Sequence, residues 1–174
     1  MKLDMKRLNR LLSYLFSEIK DLQDDDRELP IKWSMMHMYS SSQLASLVAL
    51  KKGLNPELLS IIAALHDIGA IKTKKRENHA LNASEYVYEI INHYNHTLRG
   101  NLKEITIDEA SIIHEAVVNH SDKGNISDNL YIEAMKDIDS LDRYLHGIET
   151  KKDHITHLNN MIKLFDINIV KAKE

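Results

Sequence analysis

Apolar residues along the chain recur mainly at steps of three and four, which is the spacing of one face of an α-helix. The first such segment predicts a helix whose apolar face is formed by Leu8, Leu11, Leu12, Leu15, Phe16 and Ile19. Residues 21–30 then predict a loop, because acidic residues oppose a helix C-terminus and Pro30 cannot continue a helix.

Six further helices are predicted after this loop. The first covers about residues 33–52, with an inward face of Met36, Leu44, Leu47 and Val48. The second is capped by Asn55 and has Pro56 at its first position. Its run over residues 58–65 is apolar nearly all round, which predicts a buried central helix that ends at His66-Asp67.

The remaining four helices are predicted over about residues 78–96, 107–120, 128–145 and 152–171. Asn78 or Asn82 can open the first of them, and a capping box from Thr106 to Glu109 opens the second. Thr150 or Asp153 is available as a cap for the last.

Composition agrees with an all-α fold. Only 5 Gly and 2 Pro interrupt the 174 residues, which favours long helices over many short strands. With 43% hydrophobic and 28% charged residues the chain is typical of a globular protein. We therefore expect one compact domain of six to seven helices over residues 1–174.

Charge and terminal sequence indicate the cellular setting. The chain offers no apolar run long enough for a signal peptide or a membrane span, so we expect a cytoplasmic protein with no membrane partner. The net charge of −3 makes nucleic acid an unexpected partner, although a local basic patch stays open.

The chemistry points to histidine and carboxylate groups. There is no Cys, so only these can provide strong metal ligands, and the chain has 10 His. His66 and Asp67 follow an apolar run directly, where a charged Asp is costly unless a cation or donor compensates it. Taken alone, the pair fits either a helix end or part of a metal site.

The spacing of His37, His66-Asp67 and Asp139 on successive predicted helices resembles the HD superfamily of metal-dependent phosphohydrolases, over roughly residues 33–146. Members often continue the pair with Ile-Gly, as residues 68 and 69 do here. The resemblance implies that these four residues bind a divalent metal and that His66 and Asp67 act in catalysis. Asp137 is the alternative to Asp139 as the distal ligand.

Two more histidines extend the resemblance. His79, in the segment Glu77-Asn78-His79-Ala80, and His120, at the end of a predicted helix, are similar to residues that bind a second metal in dinuclear members. Asp67 would then bridge the two ions. A mononuclear enzyme in which both histidines contact substrate phosphate is the other interpretation.

Other features narrow the substrate. After His120 the chain lacks the His-His-Glu and Gly-Tyr-Pro elements of HD-type cyclic-dinucleotide phosphodiesterases, so that substrate is not supported. Ala70-Ile71 replace the Glu-Asp that follows the pair in alarmone hydrolases, which disfavours an alarmone.

The predicted activity is hydrolysis of a phosphate ester or anhydride in a nucleotide-like small molecule, with a water activated by one or two ions of Mn, Fe, Co, Ni, Zn or Mg. Lys74, Arg76 and Lys123 are candidates for binding substrate phosphate. Since fold alone does not establish function, the alternative is a non-catalytic helical module for metal binding or signalling.

Overall fold

The structure, a computed structural model, describes residues 2–168 and is helical throughout, with no strand in that part of the chain. Its helices are α1 (Lys6–Ile19), α2 (Ile31–Lys52), α3 (Pro56–Leu65), α4 (Ile68–Thr73), α5 (His79–Asn82), α6 (Ser84–His96), α7 (Ile107–Asn119), α8 (Leu130–Leu145) and α9 (Ile155–Phe165), and a short 3-10 helix (Lys152–His154) directly precedes α9. Seven of these helices have ten or more residues, so the predicted all-α fold is confirmed.

Helix α3 lies at the centre of the core, as its apolar sequence predicts. The Asn55 side chain accepts hydrogen bonds from the backbone N–H groups of Glu57 and Leu58, and Pro56 occupies the first helical position. Every residue from Glu57 to Leu65 is buried, and the helix packs against α1, α2, α7 and α8. The C-terminus of α3, where His66 and Asp67 follow, is therefore held from several sides.

The inward face of α2 differs from the prediction. Val48 is buried, but Met36 and Leu47 are each 53% exposed. The buried face carries small and polar residues instead, including Ser34, His37, Ser41, Ser42 and Ala45. Small side chains let α2 approach α3 closely while the helix presents His37 to the interior, so hydrophobicity alone misplaces this face.

The predictions also differ from the structure around α4, α5 and α9. Helix α4 is not predicted, and the predicted helix over residues 78–96 is broken at Ala83 into α5 and α6. Neither Thr150 nor Asp153 caps α9, which ends at Phe165, before a left-handed residue. Residues 169–171 of the predicted last helix lie outside the described residues.

One continuous apolar core includes residues from each of the α-helices described above except α5. That a single domain spans all of residues 1–174 stays a prediction. Among residues 2–168, none of the helices combines the length and the apolar character needed to cross a bilayer.

Gly69 allows α4 and α5 to pack in direct backbone contact. A Cβ atom at this position would overlap the carbonyl oxygen of His79 and lie 2.8 Å from the backbone nitrogen of Ala83. Both of these atoms belong to backbone, which cannot move aside as a flexible side chain can. Gly69 therefore fixes the distance between the helix that follows Asp67 and the helix that begins with His79.

We expect Gly69→Ala to lower the free energy of unfolding by about 2 kcal/mol, because the added methyl group forces α5 away from α4. The sign is informative, since Ala in a helix interior otherwise stabilises by about 1 kcal/mol relative to Gly. Urea denaturation followed by circular dichroism measures the change. Gly124→Ala is the control, because a Cβ atom there meets nothing within 4 Å, and an equal loss in both variants would contradict the packing argument.

Candidate metal centre

Six predicted site residues converge from five parts of the fold. His37 lies within α2, His66 and Asp67 connect α3 to α4, His79 begins α5, His120 follows α7, and Asp139 lies within α8. His37, His66, His120 and Asp139 are buried, and Asp67 and His79 are partly buried. The groups are close together although up to 102 residues separate them along the chain.

Each of the four imidazole rings has its Nδ1 atom engaged by an acceptor. The acceptors are the Asp142 carboxylate for His37 at 2.6 Å, and the carbonyl oxygens of Ala63 for His66 at 2.7 Å, Arg76 for His79 at 2.8 Å and Val117 for His120 at 2.7 Å. Since a carbonyl oxygen can only accept, Nδ1 carries the proton in the last three rings, and the Nε2 lone pair remains for a metal.

The four Nε2 atoms form two pairs around Asp67. His37 and His66 have their Nε2 atoms 3.1 Å apart, and each lies 3.6 Å from Oδ2 of Asp67. His79 and His120 have theirs also 3.1 Å apart, at 3.1 and 3.7 Å from Oδ1. Asp67 thus directs one carboxylate oxygen towards each pair.

Asp139 lies on the side of the first pair. Its Oδ1 atom is 3.3 Å from Nε2 of His37 and 4.0 Å from Nε2 of His66. Its Oδ2 atom accepts a hydrogen bond from the Lys123 ammonium group at 2.7 Å, and the same ammonium group donates to the His120 carbonyl oxygen at 2.9 Å. Lys123, predicted to bind substrate phosphate, is therefore engaged by groups of the site itself.

Asp137 lies away from this cluster. Its carboxylate accepts hydrogen bonds from Lys52, His157 and Asn160, at 2.8, 2.8 and 3.1 Å. The side chain is nearly buried and joins α2, α8 and α9. Of the two candidates for the distal ligand, the structure places Asp139 with the histidines and gives Asp137 a different set of partners.

Burial and neighbouring charges shift the pKa values of these groups. Burial lowers the pKa of His66 to about 4, which keeps this ring neutral. Although burial acts to raise the pKa of Asp67, the surrounding imidazoles of His66, His120 and His79 hold it well below its usual value. Asp139 is held low in the same way, against burial, chiefly by the Lys123 ammonium group. Both carboxylates are therefore ionised.

The pKa of His37 is shifted in the opposite direction from that of His66. Burial acts to lower its pKa, but the carboxylates of Asp139 and Asp142 raise it to about 10. The carboxylates thus favour a positive charge at Nε2 of this ring. A divalent ion held by this group of residues would supply that charge in place of a proton.

In the part of the chain that the structure describes, two sets of three residues have ligand atoms within 4.8 Å of one another and could hold a metal ion. One set is His37, His66 and Asp139, and the other is His66, Asp67 and His120. Imidazole and carboxylate donors fit a divalent transition metal, and three protein ligands leave a position for water. The residues present therefore fit a divalent ion.

A cavity of about 140 Å³ opens beside Asp67 and Asp139. Its wall also includes Arg76, His79, Ser121, Arg143, Lys151 and His154. The Ser121 hydroxyl lies 3.1 Å from Nε2 of His79 and 3.2 Å from Nε2 of His120. Lys74 is not part of this wall, because its ammonium group contacts the Asp25 carbonyl oxygen at 3.3 Å.

Sequence reasoning missed several residues of the site and its cavity. Asp142, which holds His37, lies three residues beyond Asp139 on a predicted helix, so its position on the same helix face was a usable signal. Ser121 follows His120 directly. Lys151 and His154 had no such signal, since they reach the cavity only through the path of the chain between α8 and α9.

Comparison with known proteins agrees with this geometry. A sequence profile described as HD domain matches residues 35–166 of the chain. The chain belongs to the HD domain family. The matched region includes all six residues of the cluster, and family membership is consistent with a divalent metal at the site. No curated protein and no solved structure gives a significant match.

Asparagine variants of Asp137 and Asp139 distinguish a residue that binds metal from one that stabilises the fold. We expect Asp139→Asn to reduce the metal content measured by plasma mass spectrometry by about one ion per chain, since a neutral amide is a poor metal ligand. Asp137→Asn should keep its metal but lower the free energy of unfolding by about 2 kcal/mol, because the buried ring of His157 and the Lys52 ammonium group lose their charged partner.

The reverse pattern, with metal lost only in Asp137→Asn, would make Asp137 the distal ligand. Both variants need to be compared at the same level of folding, which near-ultraviolet circular dichroism checks.

Proposed function

We propose that this HD domain protein is a metal-dependent phosphohydrolase that cleaves a phosphate ester or anhydride of a nucleotide-like small molecule by means of an activated water. The observation that carries the proposal is the arrangement of Asp67, with one carboxylate oxygen towards His37 and His66 and the other towards His79 and His120. This arrangement supports a dinuclear centre bridged by Asp67 over a mononuclear one.

A bound divalent ion would lower the pKa of a coordinated water and polarise a phosphoryl oxygen. The imidazole-rich ligand set favours Mn, Fe, Co, Ni or Zn over Mg alone. His37, His66, Asp67 and Asp139 would hold the first ion, and His79 and His120, with Asp67, would hold the second.

The residues of the chain have distinct tasks in this proposal. Hydrogen bonds at Nδ1 orient the imidazole rings before any ion binds, so little reorganisation is needed. Lys123 keeps Asp139 ionised and fixes the direction of its second oxygen. The Ser121 hydroxyl, which lies beside Nε2 of His79 in the wall of the cavity, can donate a hydrogen bond to a substrate oxygen.

A small phosphorylated molecule is the proposed partner, because the cavity is small and several cationic side chains reach its wall. Arg76 is kept as a phosphate-binding candidate on this ground. Lys74 is not, since it faces another loop.

Removal of metal tests the activity. We expect chelation followed by desalting to abolish hydrolysis on a panel of nucleotides, dinucleoside polyphosphates and generic phosphodiesters, and Mn or Fe to restore it.

Asp67→Asn should reduce kcat/KM by at least about 100-fold, because both halves of the site lose a ligand. Asp21→Asn, an exposed change of the same kind, is the control. A metal-loaded wild type without activity on the whole panel would favour a non-catalytic binding module.

The number of ions is tested separately. In a dinuclear protein we expect two ions per chain, reduced to one in His79→Ala and in His120→Ala, because each variant removes a ligand of the second ion only. Metal analysis with protein quantified by amino-acid analysis gives the ratio. A parent with one ion, unchanged in both variants, would show that the centre is mononuclear.

A further inference from the structure

Besides Lys123, which is paired with Asp139, the wall of the cavity beside Asp67 carries three basic side chains from separate segments. Arg76 lies between α4 and α5, Arg143 is in the last turn of α8, and Lys151 lies between α8 and the 3-10 helix. Within residues 2–168, none of these three side chains forms a salt bridge or a side-chain hydrogen bond. The hydrogen bonds of Arg76 are made by its backbone, whose N–H donates to Glu28 and whose carbonyl oxygen accepts from His79.

Neighbouring basic residues are paired, in contrast. Lys75 lies 3.4 Å from the Glu28 carboxylate, Lys123 forms its ion pair with Asp139, and the Arg27 guanidinium donates to the Ile71 carbonyl oxygen. Arg76, Arg143 and Lys151, which form no such pair within residues 2–168, all line the cavity, and Lys123 is the paired basic group of its wall. Such convergence is the arrangement expected of an anion-binding site.

The acidic groups of the wall do not neutralise these cations. Asp67 is directed at the imidazoles, and Asp139 is shared between His37 and Lys123. Asp153 is exposed and remains as the single acid without a partner in the described wall. Arg76, Arg143 and Lys151 thus leave an excess of positive charge in the wall of the cavity, in addition to any charge on bound metal.

We propose that Arg76, Arg143 and Lys151 form a second phosphate subsite, so that the substrate is a phosphoanhydride carrying at least one phosphate beside the one that is attacked. This rests on the proposed function, because it places the attacked phosphorus at Asp67 and its neighbours. A simple monoester has no charge to offer to the three basic groups once its phosphate is at the metal residues. An anhydride carries a second phosphate, whose negative charge can contact the three basic groups. The cluster of basic side chains therefore favours anhydrides over monoesters.

Hydrolysis of the anhydride requires no reactant other than water. The oxygen of water forms a bond to the attacked phosphorus, and the bond from that phosphorus to the bridging oxygen breaks. The electron pair of the broken bond remains on the leaving phosphate, where the three cations stabilise the charge that develops. The protons of the water are distributed between the two products and the solvent.

Binding of inorganic pyrophosphate and inorganic phosphate to metal-loaded protein, freed of excess metal, tests the subsite without relying on turnover. Isothermal titration calorimetry should show that wild type binds pyrophosphate more tightly than phosphate. In the double variant Arg143→Gln/Lys151→Gln, pyrophosphate affinity should fall by roughly 10- to 100-fold, since two charge-assisted contacts are lost. Phosphate affinity should change by less than about 3-fold, because phosphate needs only the metal residues.

The matched control is Arg99→Gln/Lys103→Gln, which removes two exposed positive charges from the segment between α6 and α7. It should leave both affinities unchanged. Two results would overturn the subsite: an equal loss of pyrophosphate and phosphate affinity in Arg143→Gln/Lys151→Gln, or a loss of pyrophosphate affinity in the control as large as in that variant. Either result would instead indicate a general effect of net charge.

Kinetics separate this proposal from the proposed function. We expect kcat/KM for a nucleoside diphosphate to exceed that for the monophosphate in wild type, and the double variant to lose the difference. Selective pyrophosphate binding without hydrolysis of any substrate would support the subsite and contradict the proposed function. Hydrolysis of monoesters and anhydrides at equal rates, unaffected by the double variant, would overturn the subsite while the proposed function stands.

Discussion

The site depends on an ionised carboxylate held among four imidazole rings. Asp67 is partly buried at the junction of α3 and α4, where an unpaired negative charge costs several kcal/mol. An imidazole whose Nδ1 carries the proton presents a lone pair at Nε2, so a cation shared between the Nε2 atoms and the carboxylate would compensate this charge. The Nε2 atoms all point inward because Nδ1 is fixed in each ring. Correct placement of one charge thus requires α2, α3, α5 and α7 to meet at one point, which the buried α3 makes possible.

Three of the four imidazole rings are oriented by hydrogen bonds to nearby backbone. In His66, His79 and His120 the acceptor for Nδ1 is the carbonyl oxygen three residues earlier in the chain. Such carbonyls are free at the ends of helices and in turns, where the helical hydrogen-bond pattern stops. A histidine just after a helix can therefore fix its own ring without a distant partner. His37, inside α2, lacks this option and needs the Asp142 carboxylate.

The same contrast explains what could be predicted from the sequence. Features with a local cause were predictable: the cap of α3 by Asn55, the capping box of α7, and a His-Asp pair at a helix end. The inward face of α2 was not, because close packing and His37 replace large apolar residues with small polar ones. Helix α4 and the break between α5 and α6 were missed, because α4 and α5 are stabilised by contact with each other at Gly69 rather than by their own periodicity.

The roles of the basic residues around the cavity could not be predicted from local sequence. Lys74 and Arg76 are two residues apart and look alike in sequence, yet one contacts the loop before α2 and the other lines the cavity. Arg143 is four residues beyond Asp139, a spacing that suggests a pair along α8, but Lys123 takes that role and leaves the guanidinium free of a salt bridge within the described chain. Whether a basic residue meets substrate thus depends on which acceptors the fold has already supplied to its neighbours, and that competition is decided by tertiary structure alone.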